Sequence, residues 1–523
     1  MASQKKTKLT LCGKEFYLLF CLLLGTGSTL INQSAKAESN NDTTSSTASD
    51  DVPNNGMTDW HLIPAGGGGD WRTAVGRTQS NPKKINEIKD EDNPLLPRPE
   101  HFFGSWGGLN TWLYRHGINL NIENQNEFEA NVTGGIRRGA TNAGALNENL
   151  DIDWATLVGR NAITDGLLSH MTVIGRYGNL ANKAVGENIT SVQEVYGAGG
   201  NVAAKLVNLY LDKYSWGGKI VTSFGRTNVS GFYAISPIYC YFVNNGICGN
   251  PKAVNADVGG FNAWPDSAWG ITSLIRPVQQ MYIRVGLFQT SRAVFGNAAG
   301  HRAGWAAVVS TAEDAGAEIP IEAGYEPHWG KHDLLGHYKV GFAYDTSPFP
   351  VWGEGVNGGR EFKYKGPNQH WKAGRAMEYI LLDQMIHRNA PGNLSGLITY
   401  AGWVRNDPNT CMRQNELYAG VIDTGFWKAR PLDAFGVLFI QQMMSRKLRN
   451  LERYMYATGL PISDISDGAT GIQSAESTVE LTYIIHVVRG MRFQPDFQYE
   501  IHPNAQKNIN DAAFFGFKTY INF

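Results

Sequence analysis

The chain has 523 residues, with 46 Lys and Arg against 47 Asp and Glu, 60 Gly, 14 Trp, 11% aromatics and only 18% charged residues. So even a balance supplies neither a basic face for nucleic acid nor a strong single-sign field for steering ions. The charged fraction is below the roughly 25% of ordinary soluble domains.

At the N-terminus Lys5, Lys6, Lys8 and Lys14 precede the apolar run Phe16 to Leu24, and a polar stretch then reaches Ala35-Lys36-Ala37. Basic, apolar and small-residue regions in that order predict a cleaved secretory signal over residues 1–37, with the mature chain starting at Glu38. The apolar run reaches only about 14 Å as helix, too short for the ~30 Å hydrocarbon core. Removing residues 1–37 takes away Lys5, Lys6, Lys8, Lys14, Lys36 and Glu15, leaving 41 basic and 46 acidic residues and a net charge of −5. All 14 Trp remain. Residues 38–98 are rich in Ser, Asn and Gly and poor in apolar side chains, which predicts a disordered extension. Their run Gly66 to Gly69 lacks the Lys-Ser/Thr pair of a phosphate loop.

From about Pro99 the pattern becomes one of short alternating runs. Val207, Leu209 and Leu211 oppose Asn208, Tyr210 and Asp212; Met281, Ile283, Val285 and Leu287 oppose Tyr282, Arg284, Gly286 and Phe288. Tyr338, Val340, Phe342 and Tyr344 oppose Lys339, Gly341, Ala343 and Asp345. Later, Val479, Leu481, Tyr483, Ile485 and Val487 oppose Glu480, Thr482 and His486. A period of two with one apolar face predicts β-strands, in a soluble sandwich or in a membrane barrel turned inside out. The last strand, Phe515 to Phe523, places Phe515, Phe517, Thr519, Ile521 and Phe523 on one side. It resembles the closing strand of outer-membrane barrels, whose terminal aromatic is read by the insertion machinery. Together with export and the aromatic load, this selects an all-β, transmembrane antiparallel barrel over residues 99–523. Those 425 residues accommodate 16 strands, with 18 as the alternative, and long loops, one or more folded inward.

Cys12 and Cys21 leave with the signal, so Cys240, Cys248 and Cys411 remain, too few for a disulfide framework. Cys240 and Cys248 bracket a turn-rich segment in an oxidising compartment, which predicts a disulfide in a surface or periplasmic loop and leaves Cys411 as a thiol. No metal site is expected, since one cysteine pair without a nearby His does not supply four ligands. His328, His332 and His337 with Asp333 read as a strand connection. Gly197 to Gly200 is a turn, and no nucleophile elbow stands between a strand and a helix.

Several segments are similar to the carbohydrate-selective porin (OprB) family. They are Asn131-Val132-Thr133-Gly134-Gly135, the stretch Asp151 to Gly159, Phe242-Val243-Asn244, Trp264 to Gly270, Arg430-Pro431-Leu432-Asp433, Val479-Glu480 with Tyr483, and Gln494 to Pro503, in the family's order. The chain departs from the pattern after Pro503, where Asn-Ala-Gln replaces glycines, and in its 61-residue leading extension. The resemblance implies passive sugar diffusion across the outer membrane, without cofactor or enzyme activity. Its partners would be saccharides, outer-membrane lipid and, through Phe523, the insertion machinery, with the chain a monomer or a homotrimer.

A neutral sugar is bound by planar charged groups that bond adjacent hydroxyls in pairs, and weakly enough to leave again. By parity Arg284, Glu480, Lys339, Asp345 and Tyr282 face the lumen, and Arg176 and Arg226 join them from Gly-flanked segments. Each also has a plainer reading as a wall charge satisfied by its neighbours. Channels for organic acids, an outer-membrane lipid hydrolase and a soluble all-β binding protein are the competing functions.

Overall fold

The computed structural model describes residues 101–186, 189–195, 201–256, 260–278, 280–291, 314–355, 369–389, 395–466 and 468–523. The expected signal peptide (1–37) and extension (38–98) lie outside them. Among the described residues sixteen strands form one barrel. They are β1 (Ile118–Thr133), β2 (Gly139–Asp153), β3 (Leu167–Gly178), β4 (Val202–Ser215), β5 (Ile220–Thr227), β6 (Ala268–Val278), β7 (Met281–Ser291) and β8 (Asp314–Tyr325). Then come β9 (Leu334–Gly355), β10 (Gln369–Arg388), β11 (Gly396–Asn406), β12 (Arg413–Thr424), β13 (Ala434–Met444), β14 (Ala475–Val488), β15 (Met491–Ile501) and β16 (Ala512–Asn522). Each pairs antiparallel with its chain neighbours, and β16 closes on β1 from Glu123 opposite Asn522 to Thr133 opposite Ala513. Closure leaves no strand edge, so the wall amides pair along the ladders in the absence of water.

Which face is apolar decides the solvent on each side. On β7 Ile283 is 46% exposed while Arg284 is 1% exposed, and on β9 Val340 is 54% exposed while Lys339 is 3% exposed. The wall is therefore apolar outside and polar inside, the reverse of a soluble sandwich. On β16 Phe515 points outward, while Lys518, Tyr520 and Asn522 point in.

One strand departs from its expected parity. Leu209 and Leu211 face outward, but Val207 is fully buried, because the register of β4 on β3 shifts between Leu206 and Asn208. The extra residue of this bulge turns Val207 inward against Ala145, Ile174, Val195 and Trp264.

Connections at one end are short: Arg489 and Gly490 alone link β14 to β15, with Gly490 at φ 66°. A Cβ there would lie 2.3 Å from the Phe102 backbone nitrogen, so only glycine fits. The two ends of the described chain meet at this end. Phe102 N–H donates to Asn522 O at 2.6 Å, His101 Nδ1 donates to Phe523 O at 2.6 Å, and α1 (Leu109–Arg115) leads into β1. The opposite end carries long connections, including α2 (Arg446–Ala457), whose Ser445 side chain accepts from the Lys447 and Leu448 amides.

Candidate functional site: the lumen and its inward loops

Two connections fold back into the barrel, residues 228–256 with 260–267 between β5 and β6, and residues 189–195 between β3 and β4. Phe232, Tyr233, Ile235, Tyr239, Phe242 and Phe261 of the first are at most 1% exposed and pack on inward side chains such as Tyr379, Tyr400 and Tyr418. Apolar burial sets the loop against the wall, and polar groups of the wall then fix its backbone.

Those polar anchors occupy three places. Glu322 of β8 accepts from Ala234 N–H at 2.8 Å, and from the hydroxyls of Tyr282 and Tyr379 at 2.7 Å each. Gly324 and Gly341 make room for these rings, since a Cβ on either would stand 2.0 Å from Tyr282 or Tyr379. Glu480 of β14 accepts from Val243 N–H at 2.7 Å and Asn244 N–H at 3.0 Å. Around it Asn244 Nδ2 donates to Gln498 at 2.8 Å, and Gln494 Nε2 donates to Tyr241 O at 2.9 Å. Glu416 of β12 accepts from Ala253 N–H at 2.6 Å. A buried amide left unpaired costs about 1–3 kcal/mol, so these contacts fix where the loop lies.

The expected site residues divide accordingly. Lys339 donates to Ile235 O, and Arg284 lies 5.7 and 5.8 Å from the ring centres of Phe232 and Tyr233. With Glu480, they converge on the inward loop between β5 and β6. Asp345 instead accepts from Ser347 N–H at 2.8 Å, within its own strand. Arg176 and Arg226 both point inward, 4% and 3% exposed. They stand on β3 and β5, either side of β4, whose Lys205 pairs with Asp266 of the loop. With Arg276 and Arg284 they give β3 to β7 a basic inner face. Glu123, Glu127 and Glu129 of β1, Glu476 and Glu480 of β14, and Asp496 and Glu500 of β15 form an acidic arc.

Cys240 and Cys248 lie in the inward loop rather than in a surface or periplasmic one, with sulfurs 2.8 Å apart as thiols. His328 meets Asp333 at 2.6 Å in the turn before β9, while His337 is buried on β9 beside Asp383. The Arg430-Pro431-Leu432-Asp433 turn before β13 is a clasp. Arg430 donates to Asp433 twice, at 2.5 and 3.0 Å, and Tyr483 hydroxyl and His486 N–H donate to it at 2.9 and 3.0 Å. Burial pushes the Asp433 carboxyl up, but these donors outweigh it and hold the group below the usual carboxylate range.

Sequence reasoning missed Lys518, which stands 3.1 Å from Glu194 of the 189–195 loop and 3.3 Å from Glu127. Parity alone put Lys518 opposite the aromatics of the last strand. Glu127 was hidden because Asn124 and Asn126 interrupt the outward face of β1 with polar residues.

A family model for carbohydrate-selective porins, OprB family, matches residues 137–523. The chain belongs to this family. Porin B of Pseudomonas aeruginosa is 26% identical over 438 residues, covering 81% of this chain and 91% of that protein. A putative porin of Acinetobacter baylyi, QuiX, is 23% identical, covering 80% and 92%. The high-pH structure of Pseudomonas putida OprB superposes with a TM-score of 0.73 at 22% identity, covering 82% of this chain and all of that one. This carbohydrate-selective porin is an outer-membrane sugar channel, and its family and fold are those of a channel rather than an enzyme.

Proposed function

We propose that the pore passes monosaccharides such as glucose into the periplasm, and that Arg284, Arg176, Arg226, Lys339, Asp345 and Glu480 set its selectivity. They do so in two ways. Arg284, beside the rings of Phe232 and Tyr233 and as buried as they are, is the observation that carries the reading, since it sets where the aromatic stretch of the inward loop stands in the pore. Glu480 and Lys339 act as positioning residues by fixing the loop.

Conductance in planar lipid bilayers tests this. Glucose should lower ion current, and Arg284→Ala should weaken that block about tenfold, since the loop loses cation–π contacts worth about 1–2 kcal/mol where solvent is excluded. The outward Val340→Ala should leave it unchanged. The basic inner face of β3 to β7 supports a second reading, a channel for organic acids. If small carboxylates reduce the current and glucose does not, that reading replaces the first.

The reading extends to the parts of the chain outside the barrel. The chain is exported by a signal cleaved before Glu38, so an exported protein whose N-terminal sequence retains the Phe16 to Leu24 run defeats this part. Phe523 presents the closing strand to the insertion machinery, and Phe523→Ala should lower the folded yield in the outer membrane. Cross-linking in detergent separates a monomer from a homotrimer.

A further inference from the structure

At the long-connection end, the outer wall carries a cavity of about 660 Å³ that the sugar pathway does not use. Its floor is a row of outward residues on three neighbouring strands, Asn415 opposite Met443 and Met443 opposite Ala475. Arg446, Lys447 and Arg449, from the first turn of α2, form its upper wall, and no carboxylate is among its lining side chains. The nearby acids turn elsewhere. Glu416 and Glu476 are buried on the lumen side, and Glu452 accepts the Gln473 amide at 2.8 Å.

The height of this cavity follows from strand register. Below the floor the next outward row is Leu417, Gln441 and Ser477, then Ala419, Phe439 and Val479, then Val421, Val437 and Leu481. Successive rows are about 6.6 Å apart along a strand. The wall therefore becomes continuously apolar some two rows beneath the cavity, with Phe439 and Leu481 about 40% exposed. A molecule seated between the basic turn and this apolar column has an anionic head and hydrocarbon tails.

We propose that this cavity binds the phosphorylated headgroup of a lipid in the leaflet at the long-connection end. Guanidinium groups match phosphate oxygens bidentately, and the ammonium of Lys447 adds a point charge. Basic pockets at this depth hold anionic headgroups elsewhere. The volume falls within the roughly 300–1,000 Å³ of small-ligand sites. Acyl chains then run down the Phe439 column.

Native mass spectrometry of the full-length protein in non-ionic detergent tests the proposal, with bis-phosphorylated lipid A as probe. The wild-type barrel should retain the lipid through delipidating washes. Arg446→Gln/Lys447→Gln/Arg449→Gln should retain about tenfold less, as expected for lost charge-assisted bonds. Arg446→Gln alone, at an exposed position, should show a smaller loss in a barrel that keeps its heat-modifiable mobility. Arg405→Gln, on a neighbouring strand, should match wild type. Equal retention by the triple variant overturns the proposal, as does equal retention of dephosphorylated lipid A. Displacement by millimolar inorganic phosphate overturns the lipid source and leaves a free-anion site. Glucose block of the triple variant should stay at the wild-type level, so failure here is separable from failure of the sugar reading.

Discussion

Replacing Glu480 should release the inward loop without opening the barrel. Its carboxyl accepts two backbone amides, Val243 at 2.7 Å and Asn244 at 3.0 Å, and is itself fully buried. Glu480→Ala removes both bonds and leaves two buried N–H groups unpaired. At about 1–3 kcal/mol for each orphaned group, the attached state loses about 2–6 kcal/mol. Water entering from the lumen satisfies part of this, so about 2–3 kcal/mol is the working figure, a 30- to 150-fold rise in the detached population at roughly 1.4 kcal/mol per decade. The loop keeps its Glu322 and Glu416 anchors, so detachment is local to residues around Phe242. Glu480→Gln keeps one acceptor oxygen but turns an NH2 toward the second amide, and should produce a smaller effect. Single-channel recording should show noisier, larger openings and weaker glucose block, in the order Ala, Gln, wild type. Thermal unfolding should change little, because the wall ladder is intact. If Glu480→Ala keeps wild-type current noise and sugar block, the loop is not held by this group and the reasoning fails.

Three further outcomes follow from other contacts. Asp433 has a depressed native carboxyl against its ordinary value of 3.8, so its stabilisation is present above that value and drains away as pH falls through the native one; urea midpoints should drop below about pH 4 in wild type, and Asp433→Asn should lack that component. Lys518→Met leaves Glu127 and Glu194 buried against each other, which should destabilise the folded barrel by about 3–5 kcal/mol in chemical unfolding; an unchanged midpoint would show that the two acids do not need it. We further propose that Cys240 and Cys248 become a disulfide during export, the two thiols losing two protons and two electrons to the disulfide of an exported thiol–disulfide oxidoreductase, which is reduced to a dithiol. Peptide mapping without reductant should find them linked, and free alkylation of both in the exported protein would dispose of the pairing.

How far the residues foretold this molecule depends on which interactions were periodic. The wall was legible because one rule, alternation, governs it at every position: β7, β9, β14 and β16 each turn the faces that their sequences indicate. The rule failed at Val207, where one inserted residue reverses parity and no local residue type marks the bulge. It also fell short on β1, where Asn124 and Asn126 look outward and blur the apolar face, although Glu123, Gln125, Glu127 and Glu129 line the lumen in strict alternation.

The site was legible in direction but not in partnership, and the difference is physical. Parity states that Glu480 points inward; whether it meets solvent, sugar or protein depends on where a loop more than 200 residues earlier in the chain folds. Two segments that each resemble the family's pattern, Phe242-Val243-Asn244 and Gln494 to Pro503, become one object once the loop is inside. Asn244 bonds Gln498, Gln494 bonds the carbonyl of Tyr241, and Glu480 holds the amides between them. Residues of this kind are constrained by each other and only indirectly by the solute. A lumen acid in such a clasp should therefore tolerate changes of sugar but not changes of loop, whereas Arg284, buried beside the rings of Phe232 and Tyr233, sets where the aromatic stretch of the loop stands and should bear on which sugars fit. Pairing each Arg284 and Glu480 variant with a series of sugars separates the two roles: the first should shift preference among sugars, and the second should weaken block by all of them alike.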